Sequence, residues 1–220
     1  MVKNKIYSKA EIAEKFHDGM KLMAGIFACR GCADRLVDII VEKGCKNLEV
    51  IANDAGDPGV ALGKLYDAHL VTKAHHSHIG MNPYVTELIN RGILTVNLYP
   101  QGTLVEKIRA GGAGLGGVLT KTGLGTVAQE GRRIIEVEGQ AYIFEPPFRA
   151  EIALIRAAKA DKAGNLVYKG AARNFNPAMA MAADLVIVQA DEIVEVGELD
   201  PEAVITPGVF VDMILSNEEQ

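Results

Sequence analysis

Ile93-Leu94-Thr95-Val96-Asn97-Leu98-Tyr99, bounded by Gly92 and Pro100, is the segment that decides the fold class. Aliphatic and β-branched residues run through it without helical spacing, and turn-forming residues punctuate both ends, so it reads as a buried strand. Pro100-Gln101-Gly102-Thr103 follows, with Thr103 placed to N-cap a helix over 104–110. A strand, a short turn and a helix in that order form half of a βαβ unit.

Working outward toward the N-terminus, the alternation repeats. A helix over 83–91 stops at Gly92; before it stand a short strand over 68–73 and a helix over 60–66. Leu48-Glu49-Val50-Ile51-Ala52 is a second strand and runs into the turn-rich 53–59. The helix over 33–43 carries Leu36, Val37, Ile39, Ile40 and Val41 and is closed by Gly44. A buried strand is expected over 21–28. Ser8-Lys9-Ala10-Glu11 fits a capping box that opens a short helix ending near Asp18-Gly19. Strands separated by helices of this length imply an α/β fold, a mostly parallel sheet flanked by helices. Ligands of such sheets sit beyond the carboxyl ends of the strands, so the loops after Ala28, Ala52 and Tyr99 are the candidate site.

Toward the C-terminus the pattern breaks at Gly111-Gly112-Ala113-Gly114-Leu115-Gly116-Gly117, five glycines in seven residues. A packed helix or strand tolerates such a run poorly, so it reads as a loop beside Gln101 that brings backbone close to a ligand or partner. A hairpin is expected over 133–144 around Gly139. Strands over 152–156 and 185–189 follow, with a helix over 176–183 between them. The tail after Ser216 is polar and expected to fray. Without an internal repeat or low-complexity linker, residues 1–220 read as a single domain.

The chain carries a net charge of -5, 49% hydrophobic residues, 5% aromatics and no tryptophan. Neither a basic stripe nor a stacking platform for nucleic acid is present. The N-terminal residues lack the apolar core of a secretory signal, and no apolar run reaches the ~20 residues of a membrane helix. Three cysteines do not make a disulfide framework, and the expected location is the cytoplasm.

Three short motifs each carry a sharp and a bland reading. Gly112 to Gly117 matches the dinucleotide fingerprint G-x-G-x-x-G, but a helix is expected before it where that fingerprint needs a strand. Cys29-Arg30-Gly31-Cys32, between a strand and a helix, suits a redox dithiol or half of a zinc site. The plainer reading, two small residues in a tight loop, is favoured. His75, His76 and His78 do not share one face, which disfavours a metal. No nucleophile signature is found. Glu11, Glu14, Glu42, Glu87, Glu106, Glu130, Glu136 and Glu138 read as solvated surface.

Asn53-Asp54, Ser77-His78-Ile79-Gly80 with Asn82-Pro83, Tyr99-Pro100-Gln101-Gly102-Thr103-Leu104, Arg109-Ala110-Gly111-Gly112-Ala113-Gly114 and Arg173-Asn174-Phe175-Asn176-Pro177 occur in an order and spacing that resembles the alpha subunits of family I CoA-transferases. Thr120-Lys121-Thr122-Gly123 and Thr206-Pro207-Gly208 extend the resemblance over almost the whole chain. It implies a CoA-transferase-like fold and a beta subunit as obligate partner, typically in an α2β2 assembly. It also implies ping-pong transfer of CoA between short-chain carboxylic acids such as acetate, butyrate or acetoacetate. In such enzymes a glutamate in a Glu-Asn-Gly loop of the beta subunit is the nucleophile. This chain has no Glu-Asn-Gly. The resemblance places Gln101, with the Gly102 N–H, on the oxyanion side of the reaction. Coenzyme A is implied as a substrate, with no permanently bound cofactor and no metal.

The family's N-terminal signature is met by Asp18-Gly19, Gly25, Phe27 and Gly31, a loop expected to line the acyl or CoA pocket. Ile26 stands where a second glycine is expected and Ala33 where a proline is. Arg30 is new to that loop and suited to a substrate carboxylate or a CoA phosphate. These departures keep open a rival, a non-catalytic or regulatory partner that retains the fold.

Overall fold

The computed structural model describes residues 4–217. Strands are β1 (Ile6–Tyr7), β2 (Lys21–Ala24), β3 (Leu48–Ile51), β4 (Val71–His76), β5 (Thr95–Leu98), β6 (Val118–Thr120), β7 (Arg133–Val137), β8 (Gln140–Glu145), β9 (Ala150–Asp161), β10 (Leu166–Val167), β11 (Ala183–Val194) and β12 (Met213–Leu215). Helices are α1 (Lys9–Ala13), α2 (Asp34–Lys43), α3 (Gly63–Asp67), α4 (Pro83–Asn90), α5 (Gln101–Gly112) and α6 (Asn176–Met181). The main sheet runs β1-β12-β11-β9-β2-β3-β4-β5 with every neighbouring pair parallel, and β10 adds to β9 antiparallel. A separate antiparallel sheet has the order β6-β8-β7.

Alternation along the central strands divides the core in two. Leu22 and Ala24 of β2 and Val50 of β3 pack with Leu36 and Ile40 of α2, on the face that α1 to α4 cover. Met23 and Ile51, one residue out of phase, pack with Leu104 and Ile108 of α5 and Met179 of α6. Both faces are therefore apolar, which is why these strands read as continuous hydrophobic runs.

Five elements differ from the sequence reading. β4 lies three residues later than expected, because Ala68 caps α3 and His69 turns left-handed (φ 56°), so Leu70 N–H returns to the Leu65 carbonyl. β9 and β11 extend to 12 residues each. Their polar stretches continue the ladder through cross-strand ion pairs, Arg156 with Asp191 (3.0 Å) and Lys159 with Glu192 (2.7 Å), which a search for apolar runs does not register. The expected strand over 21–28 stops at Ala24, and a tight turn follows. α1 ends at Ala13, not near Asp18, although its capping box forms as read.

The largest correction concerns the glycine run. α5 begins at Gln101, where the Pro100 carbonyl accepts from Leu104 N–H (2.9 Å), so Thr103 lies inside the first turn and caps nothing. It also continues through Gly111 and Gly112. A Cβ on Gly111 would overlap the Phe148 carbonyl, and one on Gly112 would overlap Met181 of α6. These two glycines let the end of a helix seat against its neighbours. The rest of the run, 113–117, is turn and coil as expected, but it lies at the far end of α5 from Gln101, ~16 Å away at 1.5 Å per residue, and not beside it. The residues after Ser216 with an expected fray, Glu218 to Gln220, lie outside the described residues.

Candidate active site

Four loops converge beyond the carboxyl ends of β2 to β5. After β2, Phe27 and Arg30 exchange both backbone hydrogen bonds (3.0 Å each) across a turn whose central residues, Ala28 (φ 47°) and Cys29 (φ 61°), are left-handed. That conformation is costly without glycine, so other groups must hold it. The buried Asp54 carboxylate, in the loop after β3, accepts from Ala28 N–H (2.9 Å). The Cys29 sulfur accepts from Asp57 N–H (3.2 Å).

Asp54 also organises the neighbouring side chains. Its Oδ1 accepts from Gly56 N–H (3.0 Å) and its Oδ2 from Asn53 Nδ2 (2.9 Å). With its amide nitrogen on the carboxylate, Asn53 turns its Oδ1 outward, where it accepts from the Ser77 hydroxyl (2.6 Å) and from Gln101 Nε2 (2.8 Å). Ser77 leaves β4, and Gln101 is the exposed first residue of α5. Gly102 beside it has nothing within 4 Å of where a Cβ would stand. The N–H groups of this first turn precede the first helical hydrogen bond, so they are open donors in the ordinary way of a helix start.

The other anticipated residues divide into two kinds. Phe27 (44% exposed) and Arg30 stand at the surface of the β2 turn. Gly25 and Gly31 are buried, and the space of their missing side chains is taken by this chain: the Asn176 amide at Gly25, and the Asn174 amide with the Ala172 carbonyl at Gly31. Asn176 Nδ2 donates to the Gly31 carbonyl (3.0 Å) and Asn174 Nδ2 to that of Arg30 (3.0 Å). The Arg-Asn-Phe-Asn segment thus braces the β2 turn from behind. Ile26 is fully buried in the core beneath α1 to α4, so this departure places no bulk in the site.

The histidines separate. His75 and His76 are adjacent on β4 and face opposite sides, and His78 is exposed beyond the strand. His76 Nδ1 donates to the Ala52 carbonyl (2.9 Å), so its Nε2 accepts from the Tyr66 hydroxyl (2.5 Å), and burial pushes its pKa down to about 4. Among the described residues no group of three potential ligands is placed to hold a metal ion. The cysteine pair has a structural setting: Cys32 is fully buried and burial raises both thiols, the opposite of an activated dithiol. The G-x-G-x-x-G match follows a helix and precedes β6, so it lacks the strand-turn-helix context of a dinucleotide site.

Sequence reasoning missed what anchors α5 from below. Lys107, almost fully buried, donates to Glu145 of β8 (2.6 Å) and stands over the rings of Phe148 (4.5 Å) and Tyr99 (5.0 Å). Burial lowers the Lys107 pKa while Glu145 opposes the shift. A lysine in the apolar phase of a helix was the one available signal.

Together these features define a parallel-sheet α/β protein with an amide-lined site at the carboxyl edge of the sheet. The chain belongs to the coenzyme A transferase family, whose profile matches residues 6–217. Among its relatives are the acetate CoA-transferase subunit alpha of Escherichia coli K12, 44% identical across 99% of both chains, and the acetoacetyl-CoA:acetate/butyrate CoA transferase alpha subunit of Clostridium acetobutylicum, 45% identical across 96% of this chain and 97% of that one. The fold also matches an acyl-CoA transferase of E. coli O157:H7, solved as a thioester complex with CoA, at a TM-score of 0.85 and 22% identity. That match covers 99% of this chain but 48% of the other, so this chain spans about half its length.

Proposed function

We propose that this chain is the alpha subunit of a heteromeric CoA-transferase that moves CoA between short-chain carboxylic acids such as acetate, butyrate and acetoacetate. It works as a single domain, in the cytoplasm, with a beta subunit in an α2β2 assembly. A glutamate of the beta subunit attacks the acyl-CoA carbonyl carbon; the carbonyl oxygen takes the negative charge, and collapse expels the CoA thiolate and leaves an acyl-glutamyl anhydride. The thiolate attacks the glutamyl carbonyl, releases the donor carboxylate and forms a glutamyl-CoA thioester. The acceptor carboxylate then reverses the sequence.

The observation that carries this reading is the Gln101 amide, held 2.8 Å from Asn53 at the carboxyl edge of the sheet, in a chain without a Glu-Asn-Gly segment. Its second N–H and that of Gly102 are the donors for the developing oxyanion. Phe27, Arg30 and the β2 turn built on Gly25 and Gly31 flank the acyl or CoA moiety. The names of the two relatives support the choice of acids.

Purified alone, the chain is expected to show no transfer of CoA from acetoacetyl-CoA to acetate; addition of a co-expressed beta-type chain restores it. Turnover by the isolated chain overturns the subunit assignment, and a folded complex that binds CoA without turnover favours a non-catalytic role. In the complex, Gln101→Ala should lower kcat on the order of 10²-fold with a smaller change in KM. An unchanged kcat removes Gln101 from the oxyanion.

A further inference from the structure

We propose that Asp54 is a positioning residue for Gln101, acting through the Asn53 amide, and that it ties the orientation of that glutamine to the strained turn after β2. The proposal rests on the reading of Gln101 given above. An amide side chain can be turned over at little cost, exchanging donor for acceptor, so Gln101 serves an oxyanion only if something selects its orientation.

The selection starts at Asp54. A carboxylate offers acceptors only, and its lone pairs here meet Ala28 N–H, Gly56 N–H and Asn53 Nδ2. Asn53 must therefore present its NH2 to Asp54 and its carbonyl oxygen to the site. That oxygen accepts from the Ser77 hydroxyl and needs a donor from Gln101, which fixes Nε2 inward at 2.8 Å. One hydrogen of Nε2 is used on Asn53, and the other is left to point into the site. With Asn53 reversed, its NH2 would face Gln101, and the glutamine would turn its oxygen toward Asn53 and lose this bond polarity.

Asp54 is 1% exposed and Asn53 4%, so water does not substitute readily for either partner. The same carboxylate oxygen that orders Asn53 holds Ala28 N–H, and so the left-handed pair Ala28-Cys29. One group thereby sets both walls of the site.

The test is a double-mutant cycle in the active complex. Asn53→Ala removes the acceptor that orients Gln101, and Asp54→Ala removes the acceptor that holds the Asn53 NH2, and with it the constraint on Asn53. Each should lower kcat on the order of 10- to 100-fold, with KM changed less. In the Gln101→Ala background neither should cause a further loss, because the group they orient is gone. Thermal unfolding of each complex reports whether the variants remain assembled, and Asn53→Ala serves if Asp54→Ala does not fold. Losses that multiply with that of Gln101→Ala, or a wild-type kcat for Asn53→Ala, overturn the positioning role. If Gln101→Ala itself leaves kcat unchanged, it is the underlying assignment of Gln101 that fails instead.

Discussion

Gly102 follows Gln101 in the first turn of α5, and open space faces it where a side chain would stand. A methyl group there meets no part of the protein, so Gly102→Ala is expected to leave the melting temperature unchanged or raise it, as helix propensity favours alanine. On the proposed reading that open space is where the acyl group lies, and the methyl would enter it. Turnover by the complex should therefore fall while stability does not, and calorimetry beside steady-state kinetics measures both; full activity would mean that the acyl group lies elsewhere. The place of Gln101 and Gly102, at the start of the helix that follows β5, was legible in the sequence because it is a local property. The role of Asp54 was not. It arises from groups 26, 24 and 48 residues apart, one of them the Ala28 backbone N–H, that meet only when four parallel strands align their carboxyl ends.

α5 is held at three heights: by the Asn53 amide at its first residue, by the Lys107–Glu145 pair midway, and by Gly111 and Gly112 at its end. The middle anchor ties α5 to the three-stranded sheet, since Glu145 lies on β8. Lys107→Met leaves the Glu145 carboxylate buried with only Arg132 at 3.5 Å, and should destabilise the chain by about 3–5 kcal/mol. The double variant Lys107→Met/Glu145→Leu should recover most of that loss; urea denaturation of both variants checks it, and an equally unstable double variant would refute the ion-pair account. Helices and central strands of this fold were readable from apolar periodicity. The short strands β1, β10 and β12 were not, because two or three residues carry no period, and the glycine run misled in part because helix-to-helix seating and loop flexibility favour the same residue.

Across the whole molecule, burial keeps His76 neutral until about pH 4 in the folded chain, whereas an unfolded histidine takes up a proton near 6.5. Between those values the unfolded state binds more protons, so stability falls as the pH drops from 6.5 to 4 and levels off below. The contribution is about 3 kcal/mol, since each tenfold loss of proton affinity on folding is worth roughly 1.4 kcal/mol. His75, also lowered by burial, acts in the same direction. Unfolding free energies measured across that range should rise with pH, and His76→Gln should flatten the slope; an unchanged slope would show that other groups set it. No helix among the described residues is long and apolar enough to cross a membrane.

The seating of Gly111 against the Phe148 carbonyl makes α5 a lever with its short end in the core and its working end at Gln101. A tilt of about 5° about the glycine end would swing the glutamine by ~1.4 Å over the ~16 Å between them, enough to erase most of a catalytic contact. Variants far from any substrate, at Gly111, Gly112 or Phe148, should therefore surface in activity screens as if they were lesions of the active site.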